Sequence, residues 1–354
     1  MYSTFAFGKY TKTASFTKFG IQRNEPGEHD VQFDVKFCGI CHTDVHYADP
    51  SVPVTNYPLV PGHELAGVVT KVGGKVVDVK VGDGVGAGVL SDSCMECKYC
   101  KMGEENACEK GFTRTYNAEP VHGHIKTGAG WTQGGYSGSM TMHRRYIVRV
   151  PHGYPLEMTG PILCAGITMY SPLKHWNCVS GRKRVGIVGI GGLGQMGVRL
   201  ATAMGNTVTA ISTSPQKEQA AREIGADNFV ISSNQESMAA AAKSMDLILN
   251  TVSADHDLTA LIGLLDRDGT IVQLGAVTQP HSISQILFFR RVSLSGSLTG
   301  GMKDTQECID FCAKKGIKPA IKMITSDKIS EVYEKLSAKN DQIVRYVLDI
   351  NKSK

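Results

Sequence analysis

Four cysteines fall within fifteen residues: Cys94, Cys97, Cys100 and Cys108. Three of them stand at C-x-x-C spacing, so the sulfurs can converge on one tetrahedral ion, and a complete four-thiolate shell is the usual form of a structural zinc site. With every position filled by protein, that ion would pin a loop and do no chemistry. The bland alternative, four unrelated thiols, leaves the spacing without a cause. A second set is more dispersed: Cys41-His42-Thr43-Asp44-Val45-His46, then Gly62-His63-Glu64, then Cys164. Two thiolates and one imidazole make three protein ligands, the pattern of an open, catalytic zinc. Taken singly, Cys41 or His63 reads more readily as a buried structural residue.

A third constellation is Gly189-Ile190-Gly191-Gly192-Leu193-Gly194, which matches G-x-G-x-x-G. Such a match is weak by itself, but an apolar strand before it and a helix after it are the context a dinucleotide loop requires. The glycines then permit a tight turn and close approach of backbone to a pyrophosphate seated at the helix start. The alternative is a Gly-rich turn with no ligand. Beyond it comes Ile211-Ser212-Thr213-Ser214-Pro215-Gln216-Lys217, with no acid between Thr207 and Lys217. A site for NAD usually places Asp or Glu there, on the ribose hydroxyls. Hydroxyls and a lysine instead suit a 2′-phosphate, so NADP(H) is the expected cofactor. Ser-Thr-Ser-Pro is also a good start for a helix whether or not anything binds.

The elements that must hold these groups divide the chain. Val31 to Phe37 alternates apolar and polar residues, as a strand with one buried face does, and it delivers Cys41 just past its end. Short Val-rich runs from His63 to Gly88, broken by Gly73-Gly74, Gly82-Asp83 and Gly86, predict hairpins of a small barrel. After Pro161 the pattern changes. Apolar strands are expected at 184–189, 207–212, 228–231, 246–250 and 270–274. Helical stretches lie between them, one opening at Pro215 and ending near Gly225. Strands of that kind alternating with helices imply a parallel sheet covered on both faces. A helix over 305–314 and a strand over 344–350 close the sequence. The expected class is α/β.

Length and composition are compatible with this plan. At 354 residues the chain suits about two domains, and 42% hydrophobic with 20% charged residues is ordinary globular composition. No apolar run approaches a membrane span, and residues 1–20 contain no secretory h-region. The expectation is a soluble cytoplasmic protein with no membrane partner. Ten cysteines without a secretory signal read as metal ligands more readily than as disulfides. Cys38, Cys178, Cys308 and Cys312 are left over, as small buried apolar side chains. The net charge of +5 is spread thinly, with short clusters at Arg182-Lys183-Arg184 and Arg290-Arg291. A nucleic-acid binder would concentrate it in a stripe. A zinc-ribbon DNA binder would also leave the Cys41 set and the Gly189 loop unexplained.

The combination resembles the zinc-dependent medium-chain dehydrogenases/reductases, and within them the cinnamyl alcohol dehydrogenase branch. The resemblance rests on Cys38-Gly-Ile-Cys41-His-Thr-Asp44, Pro61-Gly-His-Glu-Leu-Ala-Gly67, the four-Cys cluster and Gly134-Gly-Tyr-Ser137. It continues through Leu163-Cys-Ala-Gly-Ile-Thr168, the Gly189 loop and Gly296-Ser-Leu-Thr-Gly-Gly-Met302. These blocks span nearly the whole chain in the family's order. Gly84, where relatives often carry Arg, and Val344-Arg345-Tyr346, where they often carry Tyr-Arg-Phe, depart from the pattern without touching a metal ligand.

The resemblance implies a GroES-like β-barrel catalytic domain over 1–157, completed by 298–354, and a Rossmann NADP-binding domain over 158–297. It implies two zinc ions per chain, the catalytic one on Cys41, His63 and Cys164 with Glu64 able to approach it, the structural one on Cys94, Cys97, Cys100 and Cys108. Asp44 would orient His63, Thr43 would bond the substrate oxygen, and His46 would end a proton path to solvent. Cofactor contacts would come from Thr43, Thr168, Gly189, Gly191, Gly192, Leu193, Gly194, Ser212, Thr213, Ser214, Lys217, Thr251, Gly275, Ser297, Leu298 and Thr299. Trp131 and Phe112 are candidates for the substrate pocket. The implied activity is an NADP(H) alcohol dehydrogenase or aldehyde reductase acting on aromatic or medium aliphatic substrates. An NAD-linked polyol or small-alcohol dehydrogenase is the runner-up. The apolar segment from Phe288 to Leu298 resembles the edge strand through which relatives pair, which implies a homodimer.

Overall fold

Strand Asp30–Gly39 carries the alternation expected of it: Val31, Phe33 and Val35 are buried while Asp34 and Lys36 are partly exposed. In the computed structural model, which describes residues 1–49, 51–125, 127–276, 285, 290–338 and 343–353, this strand organises one of two compact units. That unit comprises Met1–Cys164, Gly300–Asn340 and Val344–Lys354. The other comprises Ala165–Thr299 and Asp341–Ile343.

In the first unit, Asp30–Gly39 pairs along one side with Leu65–Val72, antiparallel, Cys38 opposite Leu65. Its other side is shared. The first half pairs with Ser139–His143 and the second with Arg345–Asp349, both antiparallel. Leu65–Val72 then pairs with Gly84–Ala87, the hairpin expected in this stretch, and Gly84–Ala87 with Val148–Arg149. Ile321–Ile324 lies parallel to the C-terminal strand at the other edge of the seven-stranded sheet. Phe33, Leu65, Tyr136, Tyr146 and Leu348 meet in its apolar core. Completely burying a side chain such as Phe33 stabilises by about 1.5–3 kcal/mol relative to exposing it. Two ladders add to the sheet: Tyr2–Gly8 with Thr17–Arg23, and Leu90–Ser93 with Phe112–Arg114.

The second unit holds six parallel strands in the order Asn228–Ile231, Thr207–Ser212, Arg184–Val188, Met245–Asn250, Leu265–Gln273, Ser293–Gly296. The crossing order reverses beside Arg184–Val188, the arrangement that opens a crevice at the carboxyl ends of the strands. The five strands expected from the sequence here are all present. Pro215 opens a 3-10 turn, Pro215–Lys217, before the helix Glu218–Glu223. The helix expected over 305–314, which belongs to the first unit, runs from Met302 to Lys315. Ser293–Gly296 is the outer strand of the sheet, and the segment named from Phe288 lies partly outside the described residues. Among the described residues, no helix is long and apolar enough to cross a membrane.

Candidate active site

The metal-type side chains of the first unit are gathered by strand register. Because Cys38 faces Leu65, the next residues along, Gly39 at the end of its strand and Glu64 just before the other, also meet, and Gly39 N–H donates to Glu64 O at 2.9 Å. Val347 faces Gly39 from the other side, and Ile40 N–H donates to Tyr346 O at 2.9 Å. Cys41, His63, Glu64 and Arg345 therefore leave the sheet at the same end. Gly39 is required there: a Cβ would lie 1.9 Å from Glu64 Oε2. Cys164 arrives from a wide helical turn, Ile162–Gly166, of the π type that recurs at functional sites.

The donors of Cys41, His63, Glu64 and Cys164 all lie within 4.8 Å of one another. Cys41 Sγ is 3.7 Å from Cys164 Sγ, and His63 Nε2 is 3.3 Å from Cys164 Sγ. A tetrahedral zinc with bonds of about 2.3 Å to sulfur sets sulfurs about 3.8 Å apart, so the thiols fit zinc. Asp44, completely buried, supports the set. Its Oδ1 lies 3.2 Å from His63 Nδ1 and accepts Gly62 N–H at 3.2 Å, while Oδ2 accepts Cys41 N–H at 2.8 Å. One carboxylate thus orients both a histidine and a cysteine, the way supporting groups hold metal ligands. The Tyr116 ring stacks on His63, centroids 5.8 Å apart.

The charges are interdependent. A hydrogen bond from Cys164 is the largest influence holding the Cys41 thiol well below its usual value, with Arg345 and His63 adding to it; Cys164 is pushed up by the same bond. Burial works against a charged His63, yet Asp44 and Cys41 outweigh it and raise the imidazole. Burial pushes Glu64 up to about 7 against the pull of Arg345. Arg345 grips Glu64 through two bonds, Nη2 to Oε1 at 2.6 Å and Nε to Oε2 at 3.2 Å, and its Nη2 lies 3.5 Å from Cys164 Sγ. In the sequence, Arg345 stands out only as part of the Val344-Arg345-Tyr346 departure from the family's pattern. Its signal was an arginine opening an apolar strand, Arg345-Tyr346-Val347-Leu348.

Thr43 and His46 stand three residues apart on the exposed side of helix His42–Ala48, with Asp44 on its buried side. Thr43 Oγ1 is 3.6 Å from Cys41 Sγ. Trp131 Nε1 donates to Pro58 O at 3.3 Å, whereas Phe112 lies on the ladder opposite Ser93, beside the four-Cys loop.

In that loop the four sulfurs also fall within 4.8 Å. Helix Lys98–Met102 starts at Cys97 and ends at Gly103 with φ +84°, which folds the chain back toward Cys108. Backbone N–H groups point at the thiols: Cys97 N–H to Cys94 Sγ at 3.4 Å and Cys94 N–H to Cys108 Sγ at 3.5 Å. Donors of this kind hold Cys97 down to about 6, while burial pushes Cys100 up to about 12. Arg145 clamps the loop by binding Cys100 O and by a 2.8 Å bond to Glu105 Oε1. The donor set is four thiols, closed, and fits a structural zinc.

In the second unit, Gly194 opens the helix Gly194–Ala203, and a Cβ there would lie 1.9 Å from Gly189 O. Gly191, Gly192 and Leu193 remain half-exposed. Thr251 Oγ1 donates to Val188 O at 2.8 Å, and Gly275 N–H donates to Asn250 O at 3.1 Å. Ser297 N–H donates to Gln273 O at 3.2 Å. Those residues, with Leu298 and Thr299, follow the same ends of the parallel strands as Gly189. Ser212 Oγ accepts Ser214 N–H at 3.1 Å, Thr213 is exposed, and Lys217 Nζ reaches across to Ile190 O at 3.2 Å. A lysine thus sits over the Gly-rich turn. Thr168 lies in helix Ile167–His175 of this unit.

An open three-donor metal centre on one unit and a dinucleotide-type sheet on the other are the equipment of a zinc-dependent dehydrogenase. Residues 27–152 match the alcohol dehydrogenase GroES-like domain, and residues 192–314 match the zinc-binding dehydrogenase domain. The NADP-dependent alcohol dehydrogenase C 1 of Mycolicibacterium smegmatis is 46% identical over 346 residues, 97% of each chain. Aldehyde reductase YahK of Escherichia coli is 44% identical over 351 residues, 97% of each. A cinnamyl alcohol dehydrogenase structure from Sorghum bicolor superposes with a TM-score of 0.93 at 37% identity, covering 100% of this chain and 99% of that one. The chain belongs to the zinc-dependent alcohol dehydrogenase family, close to its cinnamyl alcohol dehydrogenases, and is an oxidoreductase.

Proposed function

We propose that the protein is an NADP(H)-linked alcohol dehydrogenase and aldehyde reductase acting on primary alcohols and aldehydes of the aromatic or medium aliphatic class. The observation that carries the reading is the Cys41–His63–Cys164 centre: three converging donors braced by Asp44, with no fourth protein ligand among the described residues but Glu64, which Arg345 grips. Zinc held there would act as a Lewis acid on the substrate oxygen, and a nicotinamide would supply or take hydride. Asp44 keeps the proton of His63 on Nδ1, which leaves the Nε2 lone pair free to bind the metal. Thr43 Oγ1 binds the substrate oxygen, and His46, exposed at the next turn, exchanges protons with solvent.

The domain assignment goes with this reading: 1–157 with 298–354 as the catalytic part, 158–297 as the nucleotide-binding part. So do a homodimer formed through the outer strand Ser293–Gly296 and a cytoplasmic location. The test is a panel of benzaldehyde, cinnamaldehyde and medium-chain aldehydes run with NADPH and with NADH on zinc-loaded protein. Turnover with NADPH supports the reading, and loss of that turnover on chelation, restored by zinc, ties it to the metal. Fully metallated protein that reduces none of these aldehydes would sink it.

A further inference from the structure

Three strand ends meet at the carboxyl edge of the parallel sheet, where Val188, Asn250 and Gln273 stand side by side in register. Asn250 is completely buried, and every polar atom of its side chain is engaged. Its Nδ2 donates to Gln273 Oε1 at 2.6 Å and to His256 Nε2 at 2.8 Å, and its Oδ1 accepts Val252 N–H at 3.3 Å. Gln273 Nε2 donates to Val252 O at 3.1 Å and to Gly275 O at 2.8 Å. His256 Nδ1 donates to Ala254 O at 2.7 Å.

The backbone fixes the direction of each of these bonds. A peptide N–H only donates, so Val252 faces the oxygen of Asn250 and leaves the amide nitrogen toward Gln273 and His256. A carbonyl only accepts, so Val252 O and Gly275 O hold the nitrogen of Gln273, and Ala254 O holds the proton of His256 on Nδ1. Both N–H bonds of each amide are used, with His256 Nε2 as an acceptor. A network satisfied in this way is stiff, and removing one member leaves its partners unpaired.

The segment that the network holds lies against the Gly-rich turn. Thr251 Oγ1 donates to Val188 O at 2.8 Å and lies 3.0 Å from Gly189 O. A Cβ on Gly189 would lie 2.7 Å from Thr251 Oγ1 and 3.0 Å from Val252 Cγ2. On the other side, a Cβ on Gly275 would lie 2.4 Å from Val252 O. Thr251-Val252 is wedged between the two glycines, with the network behind it.

We propose that Asn250, Gln273 and His256 are positioning residues for the dinucleotide. They set the Thr251-Val252 wedge, and the wedge sets the Gly189 turn that receives the pyrophosphate. The inference rests on the NADP(H) reading of that turn. Ser212 and Lys217, which would meet the 2′-phosphate, are not members of the network, so it governs the pyrophosphate and leaves the adenosine end alone.

The test is calorimetric titration of the zinc-loaded protein with NADPH and, separately, with adenosine 2′-monophosphate, which has no pyrophosphate. His256→Ala and Gln273→Met are each expected to weaken NADPH binding about five- to tenfold and to leave the monophosphate affinity unchanged. Because the bonds form one network, the double variant is expected to lose little more than either single one. Both side chains are partly exposed, so neither change empties the core, and Gln273→Met carries the test if His256→Ala does not fold. NADPH affinity unchanged in the folded variants, equal losses for the two ligands, or losses that add in the double variant would each overturn the proposal. An unaltered protein that binds the monophosphate but not NADPH would instead overturn the reading of the Gly189 turn on which it rests.

Discussion

At the scale of single residues, the metal ligands were legible because their chemistry is local. A C-x-x-C spacing brings sulfurs together without help from the rest of the chain, and Cys41-His-Thr-Asp44 places a ligand and its support one helical turn apart. Arg345 was not legible as a functional residue, because its place beside Glu64 and Cys164 arises from register between strands some 280 residues apart in sequence. Replacing Cys41→Ala removes one of the three donors of the open centre and leaves the four-Cys loop intact. Turnover is expected to vanish, with zinc content falling from two to one per chain and the circular dichroism unchanged; full activity without metal at this centre would refute the mechanism. Ser212→Asp places a carboxylate where Ser212 Oγ and Lys217 now offer hydroxyl and positive charge. A charge-assisted hydrogen bond is worth about 1.5–3 kcal/mol, roughly ten- to hundredfold. The unaltered protein is expected to prefer NADPH to NADH by at least that margin, and the variant to reverse it. Equal kcat/KM for both cofactors in the unaltered protein would remove the basis for this.

At the scale of elements, every strand of the parallel sheet that the sequence marked is found, because strands buried on both faces are continuous apolar runs bounded by turns. The ladders Tyr2–Gly8 with Thr17–Arg23 and Leu90–Ser93 with Phe112–Arg114 were missed. The first mixes Lys, Thr and Gly at its edges, and the second is short and polar, so neither carries a clean period. The start of Arg184–Val188 depends on an ionic cluster. Arg184 Nη2 lies 2.5 Å from Asp246 Oδ1 and 2.9 Å from Asp266 Oδ2, tying that strand to its neighbour Met245–Asn250 and to Leu265–Gln273 beyond it. Burial works to raise the Asp246 carboxyl, but the bonds and charge of Arg184 hold it below the usual range. A depressed carboxyl stabilises above its unfolded value and loses that contribution as pH falls through the folded one. The pair is partly exposed, so its worth is about 1 kcal/mol at most. Asp246→Asn is expected to lower the midpoint by about 2–4 °C at pH 7, and the gap from the unaltered protein should close as pH drops below 4. A gap that stays constant from pH 7 to pH 3 would mean that the ion pair is not its source.

At the scale of the whole molecule, the order of barrel, parallel sheet and returning C-terminal strand followed from where the motifs fall. Both thiol centres lie in the unit formed by Met1–Cys164, Gly300–Asn340 and Val344–Lys354; among the described residues of the other unit no comparable cluster exists. Binding free energy at a site that the unfolded chain lacks is folding free energy, and for structural zinc peptides it is about 10–16 kcal/mol. Removing metal must therefore weaken the first unit far more than the second. The chain reports on each separately, because it has two tryptophans, Trp131 in the first unit and Trp176 in the second. Trp176→Phe leaves fluorescence from Trp131, and Trp131→Phe leaves it from Trp176. With chelator present, the Trp131 transition is expected to fall by at least about 10 °C, and the Trp176 transition to move by a small fraction of that. Cys97→Ser, which opens the closed shell alone, should reproduce the larger part of the Trp131 shift while the Cys41 centre keeps its ion. Equal shifts at the two tryptophans would show that the units unfold as one, and that neither metal centre stabilises its own unit in particular.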